Sequence, residues 1–372
     1  MNKLLPLVTL ILGAPGLATA DATKTVDPDA SFLVCEGMVH RQVIGSGDPE
    51  RGNLVRSDRV IDMAGKGYRW DNPGACLRFR TDAREIVAEL NYSDQHISQS
   101  ARNGVGVYSV DGVFHNDWKY DCSQKAVVRR PEVVSLRLAG GETPGFHDYA
   151  IYLPYGDSVD FGRLKVNPEA RFESAVAGPP VRYVAYGDSV TQGFSADGVQ
   201  RTFPFLLGQK KGWQTFNLGW GGRSSTPDDG RLVAQLNPDV ITVLIGGNDW
   251  QTGVPLEKFR ANMGAFFDNI RAVRPQVPIY LITHLWVAES WNPKAKVAGL
   301  EDYRRVQREV VVARHDPNLF VVEGSALIDH DTALFDQTPV HPRGEGFMMM
   351  VERLAPQIRP LPATPAPVPR AH

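Results

Sequence analysis

The chain has 372 residues, too many for one average domain, and its 42% hydrophobic and 22% charged content is that of a soluble globular protein. A formal net charge of -2 gives no electrostatic ground for binding nucleic acid or an anionic membrane surface.

Residues 1–20, "MNKLLPLVTLILGAPGLATA", place Lys3 before an apolar stretch from Leu4 to Leu12 and small residues at Ala18-Thr19-Ala20. That is the pattern of a secretory signal peptide cleaved after Ala20. The apolar run is shorter than the ~20 residues that cross a bilayer. A periplasmic or secreted protein is expected, with no membrane partner after cleavage. Three cysteines, Cys35, Cys76 and Cys122, allow one disulfide in an oxidising compartment and leave one thiol over. Their pairing is left open, as is the oligomeric state. No Cys/His spacing suggests zinc, and no cofactor or metal is expected.

Residues 31–170 read as short strands between turns. "EIVAELNYS", "GVGVYSVDG", "VVSLRLAGG" and "DYAIYLP" are β-rich, partly alternating, and bounded by Gly, Asp or Pro. This spacing predicts an all-β sandwich of jelly-roll type. Residues 171–180, ending at Pro179-Pro180, read as a linker.

Residues 181–358 alternate strands and helices. "VRYVAYG", "DVITVLIGG", "VPIYLITHL" and "LFVVEG" are near-continuous apolar runs, as in parallel strands buried on both faces. Between them, Phe259, Met263, Phe266, Phe267 and Ile270 fall at helical spacing and read as core. An α/β/α fold with a parallel sheet follows. Residues 359–372 are a Pro/Ala-rich tail, read as disordered.

The pentapeptide YGDSV occurs twice, at Tyr155–Val159 and Tyr186–Val190. In the first copy Gly-Asp-Ser reads as a hairpin connection, with a bulge expected near Gly162 where apolar parity shifts. Ser158 is therefore structural. The second copy follows the first buried strand of the α/β half and precedes a predicted helix, where ligand crevices open in such sheets and developing negative charge is favoured.

Four blocks surround that second serine: "YGDSVTQG", "NLGWGGRSS", "IGGND" and "VHPRGEGF". In this order they resemble the SGNH (GDSL-type) hydrolase superfamily across roughly residues 181–358. The resemblance implies a flavodoxin-like hydrolase domain. It makes Ser189 the nucleophile and His341 the general base. Ser189, Gly222 and Asn248 then become the oxyanion-hole donors. The chemistry is coherent without the name: a hydroxyl is a weak nucleophile at neutral pH and needs a base to take its proton and return it to the leaving alcohol. For each residue taken alone the plainer reading remains: glycines for a tight turn, Asn248 or Asp249 as a helix cap, and His341 as a loop residue.

The pattern departs at the third triad member. The superfamily carries an aspartate three residues before the histidine, and here that position is Thr338. Either Asp336 reaches the imidazole, with Asp329 and Asp331 as weaker candidates, or a backbone carbonyl orients it in a Ser-His dyad. The first half, in layout and a few strand motifs, is similar to the β-sandwich ahead of some bacterial carbohydrate esterases. Trp118, Trp220, Trp250, Trp286 and Trp291 offer sugar-stacking surfaces; Trp220 and Trp250, inside the blocks, are the expected substrate-binding pair, against packing as the plainer role. The expected activity is that of an exported, metal-independent serine esterase that removes acetyl groups from a carbohydrate, its partner an acylated carbohydrate or another small ester. Its rivals are a lipase or thioesterase, an O-acetyltransferase, and a glycan-binding protein with a silent hydrolase domain.

Overall fold

The computed structural model describes residues 23–47, 52–58, 73–96, 104–115, 119–120, 132–155, 157–176, 178–291 and 297–361. The expected signal peptide, Cys122, Trp118 and residues 362–372 of the tail lie outside the described residues.

The first half builds two antiparallel sheets. One centres on the strands Ile86–His96 and Asp157–Val166, the other on Cys76–Thr81 and His147–Tyr152. Side chains from both sheets meet in one core, Val55, Leu90 and Phe161 from the first against Phe79, Tyr149 and Ile151 from the second. Alternation drives this packing, since every second residue of a strand points to the same face. The sandwich begins earlier than residue 31, because Lys24–Val26 pairs with Asp157–Val166. It also reaches into the stretch read as linker, where Phe172–Glu173 pairs with Cys76–Thr81.

The first YGDSV copy is not a hairpin. His147–Tyr152 and Asp157–Val166 belong to different sheets, so the segment between them carries the chain from one layer to the other. The strand Asp157–Val166 starts at Asp157, and Ser158 lies within it. Its register against Ile86–His96 shifts between Phe161 and Leu164. That is the bulge expected near Gly162.

The second half is a five-stranded parallel sheet. Its order in space is Gln214–Gly219, Arg182–Gly187, Val240–Leu244, Ile279–Ile282, Leu319–Val322. This is the flavodoxin-like order, in which the chain reverses direction across the sheet next to its first strand and opens a crevice at the strand ends. The helix Leu256–Val273 buries Phe259, Met263, Phe266, Phe267 and Ile270, as their spacing predicts.

The two halves pack through an aromatic seam. His147–Tyr152 is buried along almost its whole length, because its two faces meet different partners. Tyr149 and Ile151 face the sandwich core. Ala150 and Tyr152 pack with Val199 and Phe205 of the second half. Phe205, on the helix Phe203–Lys211, meets Tyr152 edge-on at 5.1 Å and Phe114 at 5.8 Å between ring centroids. Cys35 and Cys76 are free thiols. Cys35 pairs with Leu77, and Cys76 with Glu36; Cys35 and Cys76 thus point to opposite faces of one sheet, which prevents a bridge between them.

Candidate active site

Ser189 follows the strand Arg182–Gly187 and begins a helix of a single turn, Ser189–Gln192. The predicted helix is thus much shorter than its flanks suggest, ending at Gly193 with φ 104°. Asp188 caps it, its side chain accepting from the Val190 N–H at 3.0 Å. With four residues the turn adds little macrodipole, so individual N–H groups and side chains set the local field.

The Ser189 Oγ stands 2.8 Å from His341 Nε2, within hydrogen-bond range. His341 comes from the loop before the last helix, Gly344–Leu354, 152 positions along the chain from Ser189. Phe194 packs on the imidazole with ring centroids 4.7 Å apart.

The candidate oxyanion donors line the same cleft as Ser189 and His341. Gly222 has φ 80°, a left-handed conformation that glycine adopts without strain, and a Cβ there would meet nothing within 4 Å. Its neighbour Gly221 already donates its N–H to Gln192 Oε1 at 2.9 Å, which leaves Gly222 as the available backbone donor of this turn. Asn248 Nδ2 donates to the Arg223 carbonyl at 3.0 Å. A carbonyl only accepts, so this bond fixes which end of the amide is nitrogen and leaves its second N–H for another acceptor. Asp249 accepts from the Ser225 N–H and hydroxyl and so holds the adjoining loop, rather than capping its helix, whose N-cap is Gly246.

On the far side of the imidazole the three candidate aspartates separate. Asp329 pairs with Arg353 at 2.7 Å, and Asp331 caps a short turn by accepting from the Ala333 N–H. Asp336 alone approaches, with Oδ2 3.4 Å from His341 Nδ1. Nearer still is Thr338, whose Oγ1 lies 3.0 Å from the same nitrogen and donates to Asp336 Oδ1 at 2.5 Å. Burial pushes the Asp336 carboxyl up, but the nearby His341 imidazole and hydrogen bonds from Thr338 and Ser195 outweigh it and hold the group well below the usual carboxylate range. Among the described residues, the groups that approach His341 Nδ1 are these two side chains.

The cleft encloses about 970 Å³ and is lined on its apolar side by Tyr155, Phe194, Trp291 and Val340. Tyr155 comes from the crossover segment of the sandwich, so the first YGDSV copy reaches the site through its tyrosine. The expected substrate-binding pair does not reach it. Trp220 is 3% exposed and Trp250 6%, and neither lines the cleft. In the helix Gly247–Thr252, Trp250 is two residues past Asn248, roughly 200° around the axis. When Asn248 faces the cleft, Trp250 turns into the core. Among the described tryptophans Trp291 lines the cleft, while Trp286 stacks on His330 at 5.1 Å. Sequence reasoning missed Phe194 and Ser195, which carry no motif, and Tyr155, whose motif copy was read only as a turn. Among the described residues, no group of three or more His, Cys, Asp or Glu could hold a metal ion.

Residues 185–348 match the GDSL-like Lipase/Acylhydrolase family. No curated protein sequence matches the chain. Among solved structures, a salicylyl-acyltransferase, SsfX3, from a tetracycline biosynthetic pathway aligns over 92% of this chain and 100% of its own, with TM-score 0.76 and 20% identity. A family two carbohydrate esterase from Cellvibrio japonicus aligns over 90% and 97%, with TM-score 0.60 and 18% identity. A family 2 carbohydrate esterase with a carbohydrate-binding domain from Corynascus thermopiles (Myceliophthora fergusii) aligns over 86% and 98%, with TM-score 0.56 and 15% identity. The shared feature at these identities is the fold, including the sandwich ahead of the parallel sheet. Over residues 185–348 the chain is thus similar to the GDSL-like lipase/acylhydrolase family.

Proposed function

We propose that this protein is a serine esterase that works through an acyl-enzyme and removes acetyl groups from a carbohydrate. The observation that carries the esterase reading is the 2.8 Å contact between Ser189 Oγ and His341 Nε2 in a cleft also lined by Gly222 and Asn248. His341 takes the Ser189 proton as Oγ attacks the ester carbonyl. The Ser189 and Gly222 N–H groups and the second Asn248 N–H stabilise the tetrahedral oxyanion. His341 then protonates the departing alcohol, and water activated by the same imidazole releases the acid. The carbohydrate reading is supported by the whole-chain similarity to family two carbohydrate esterases and by an open cleft with aromatic faces at Tyr155 and Trp291, on which sugar rings stack. Export rests on the pattern of residues 1–20; among the described residues no helix is long and apolar enough to cross a membrane.

A second reading, acyl transfer to an alcohol, is favoured by the alignment with the salicylyl-acyltransferase. Both readings share the acyl-enzyme and differ in what attacks it. The test uses purified protein and Ser189→Ala on p-nitrophenyl acetate and longer esters, then acetate release from acetylated xylan, mannan, pectin and peptidoglycan. An esterase releases acetate at a rate that added alcohol acceptors do not change. A transferase diverts most of the acyl group to the acceptor. Equal nitrophenol release by wild type and Ser189→Ala on every ester would refute both.

A further inference from the structure

We infer that Thr338 is the positioning residue that holds the His341 tautomer, with Asp336 acting on the imidazole through the Thr338 hydroxyl. The inference rests on the esterase reading of Ser189 and His341 and adds what orients the base.

The geometry sets the direction of each hydrogen. Asp336 is ionised and accepts only, so the Thr338 hydroxyl donates to its Oδ1 at 2.5 Å. The Thr338 oxygen then offers its lone pairs to His341 Nδ1 at 3.0 Å, which must carry the proton. Nε2 is left bare, facing Ser189 Oγ at 2.8 Å. The direct route from Asp336 Oδ2 to Nδ1 is 3.4 Å, beyond the usual N–H···O range of 2.7–3.2 Å. That oxygen is also engaged by the Ser195 hydroxyl at 2.7 Å.

The loop is built to keep this order. The Asp336 N–H donates to the His341 carbonyl at 2.9 Å, and Phe335 bridges Pro342, so the segment closes at its base. The Thr338 N–H binds Asp336 Oδ1 at 2.9 Å, which pins the carboxylate beneath the hydroxyl. Threonine at the third position before the histidine thus stands where the superfamily pattern has its acid, and the acid sits one group further back. A hydroxyl polarised by a carboxylate is a better acceptor than a free one, because hydrogen bonds in series strengthen one another.

The test compares Thr338→Val, Thr338→Ser and Asp336→Asn on p-nitrophenyl acetate across pH, with Ser189→Ala as control. Valine keeps the shape and removes the acceptor. It should lower kcat by about tenfold or more, the scale of lost orienting partners, with KM little changed. Serine should recover most of that loss. Both Thr338→Val and Asp336→Asn should move the acid limb of kcat/KM to lower pH, since each weakens the pull that favours the imidazolium. Other titratable groups near His341 are unchanged in these variants: buried Asp188 and the buried, neutral His284, and Asp197 and Arg343 at the cleft wall. Wild-type kcat and an unmoved limb in Thr338→Val would overturn the inference. So would equal losses in the valine and serine variants with a lowered Tm and an unmoved limb, the mark of a purely structural role. Should Thr338→Val not fold, an unmoved limb in Asp336→Asn overturns it alone. Activity in Ser189→Ala would instead defeat the esterase reading beneath it.

Discussion

Asn248 and Arg223 are joined by a 3.0 Å hydrogen bond from the Asn248 side-chain amide to the Arg223 carbonyl. Arg223 is itself fully buried. Its guanidinium lies 4.6 Å over the Tyr186 ring, donates to the Leu218 carbonyl at 2.7 Å and lies 3.5 Å from the Asp229 carboxylate. The amide is therefore oriented by a loop whose anchor sits in the core, and it need not reorganise when charge develops. Asn248→Ala should leave a folded protein with kcat reduced by about 10²–10³, or roughly 2.7–4 kcal/mol. Steady-state kinetics beside circular dichroism check this; a loss below about tenfold would remove Asn248 from the oxyanion donors.

The two serines of the repeated pentapeptide should behave oppositely. Ser158 belongs to a sandwich strand, whereas Ser189 contacts His341. Ser158→Ala should hydrolyse p-nitrophenyl acetate at nearly the wild-type rate, and Ser189→Ala should be inactive. Trapping by a fluorophosphonate, read by mass spectrometry, should label Ser189 and spare Ser158.

Asp188 makes stability depend on pH. Burial raises its carboxyl from 3.8 to about 6, against the opposing pull of the Val190 N–H and of His341. The folded state then holds this proton more tightly than the unfolded chain. The contribution is fully present below pH about 4 and is lost as pH rises toward 6. Asp188→Asn keeps an acceptor for the Val190 N–H and never ionises. It should stabilise the fold above pH 6 by up to about 3 kcal/mol, with no gain below pH about 4. Denaturant midpoints at the two ends of this range measure it, and a gain independent of pH would contradict it. Activity should fall in the same variant, because the imidazolium loses a nearby negative charge.

Phe205 ties the two halves together. It is buried against Tyr152 and Phe114 of the sandwich. Truncating a buried phenylalanine costs about 3–5 kcal/mol. Phe205→Ala should lose about 3 kcal/mol in urea unfolding. It should also lower kcat/KM, since Tyr155 reaches the cleft only while the sandwich is held in place. A variant with wild-type kcat/KM would separate Tyr155 from substrate handling.

Much of this was legible before any coordinates. Apolar runs and helical spacing marked the parallel sheet and the core face of Leu256–Val273, because burial selects residue type directly. The serine and asparagine blocks were legible because each follows a strand end, and strand ends are marked by glycine and polar residues; the histidine block, in a loop well past the last strand, was legible only through the resemblance. The parity shift at Gly162 announced a bulge because strand side chains alternate between faces, and an extra residue breaks that alternation.

Other features were not. A tryptophan inside a motif looked like a cleft residue, yet Trp220 and Trp250 turn into the core, since motif membership does not state which way a helical side chain points. The hairpin expected at Gly156–Ser158 became a crossing between sheets, because a turn signal marks where the chain bends and not which sheet receives it. The sequence alone determined the β-rich and the alternating β/α halves, written in local composition and spacing, and its motif blocks named the candidate residues for the chemistry. Only the tertiary structure decided that Thr338 stands between Asp336 and His341, and that Tyr155 of one half meets Ser189 of the other in one cleft. Those relations join residues by distances of an ångström or less in tolerance across loops and layers, and local spacing carries no such distances.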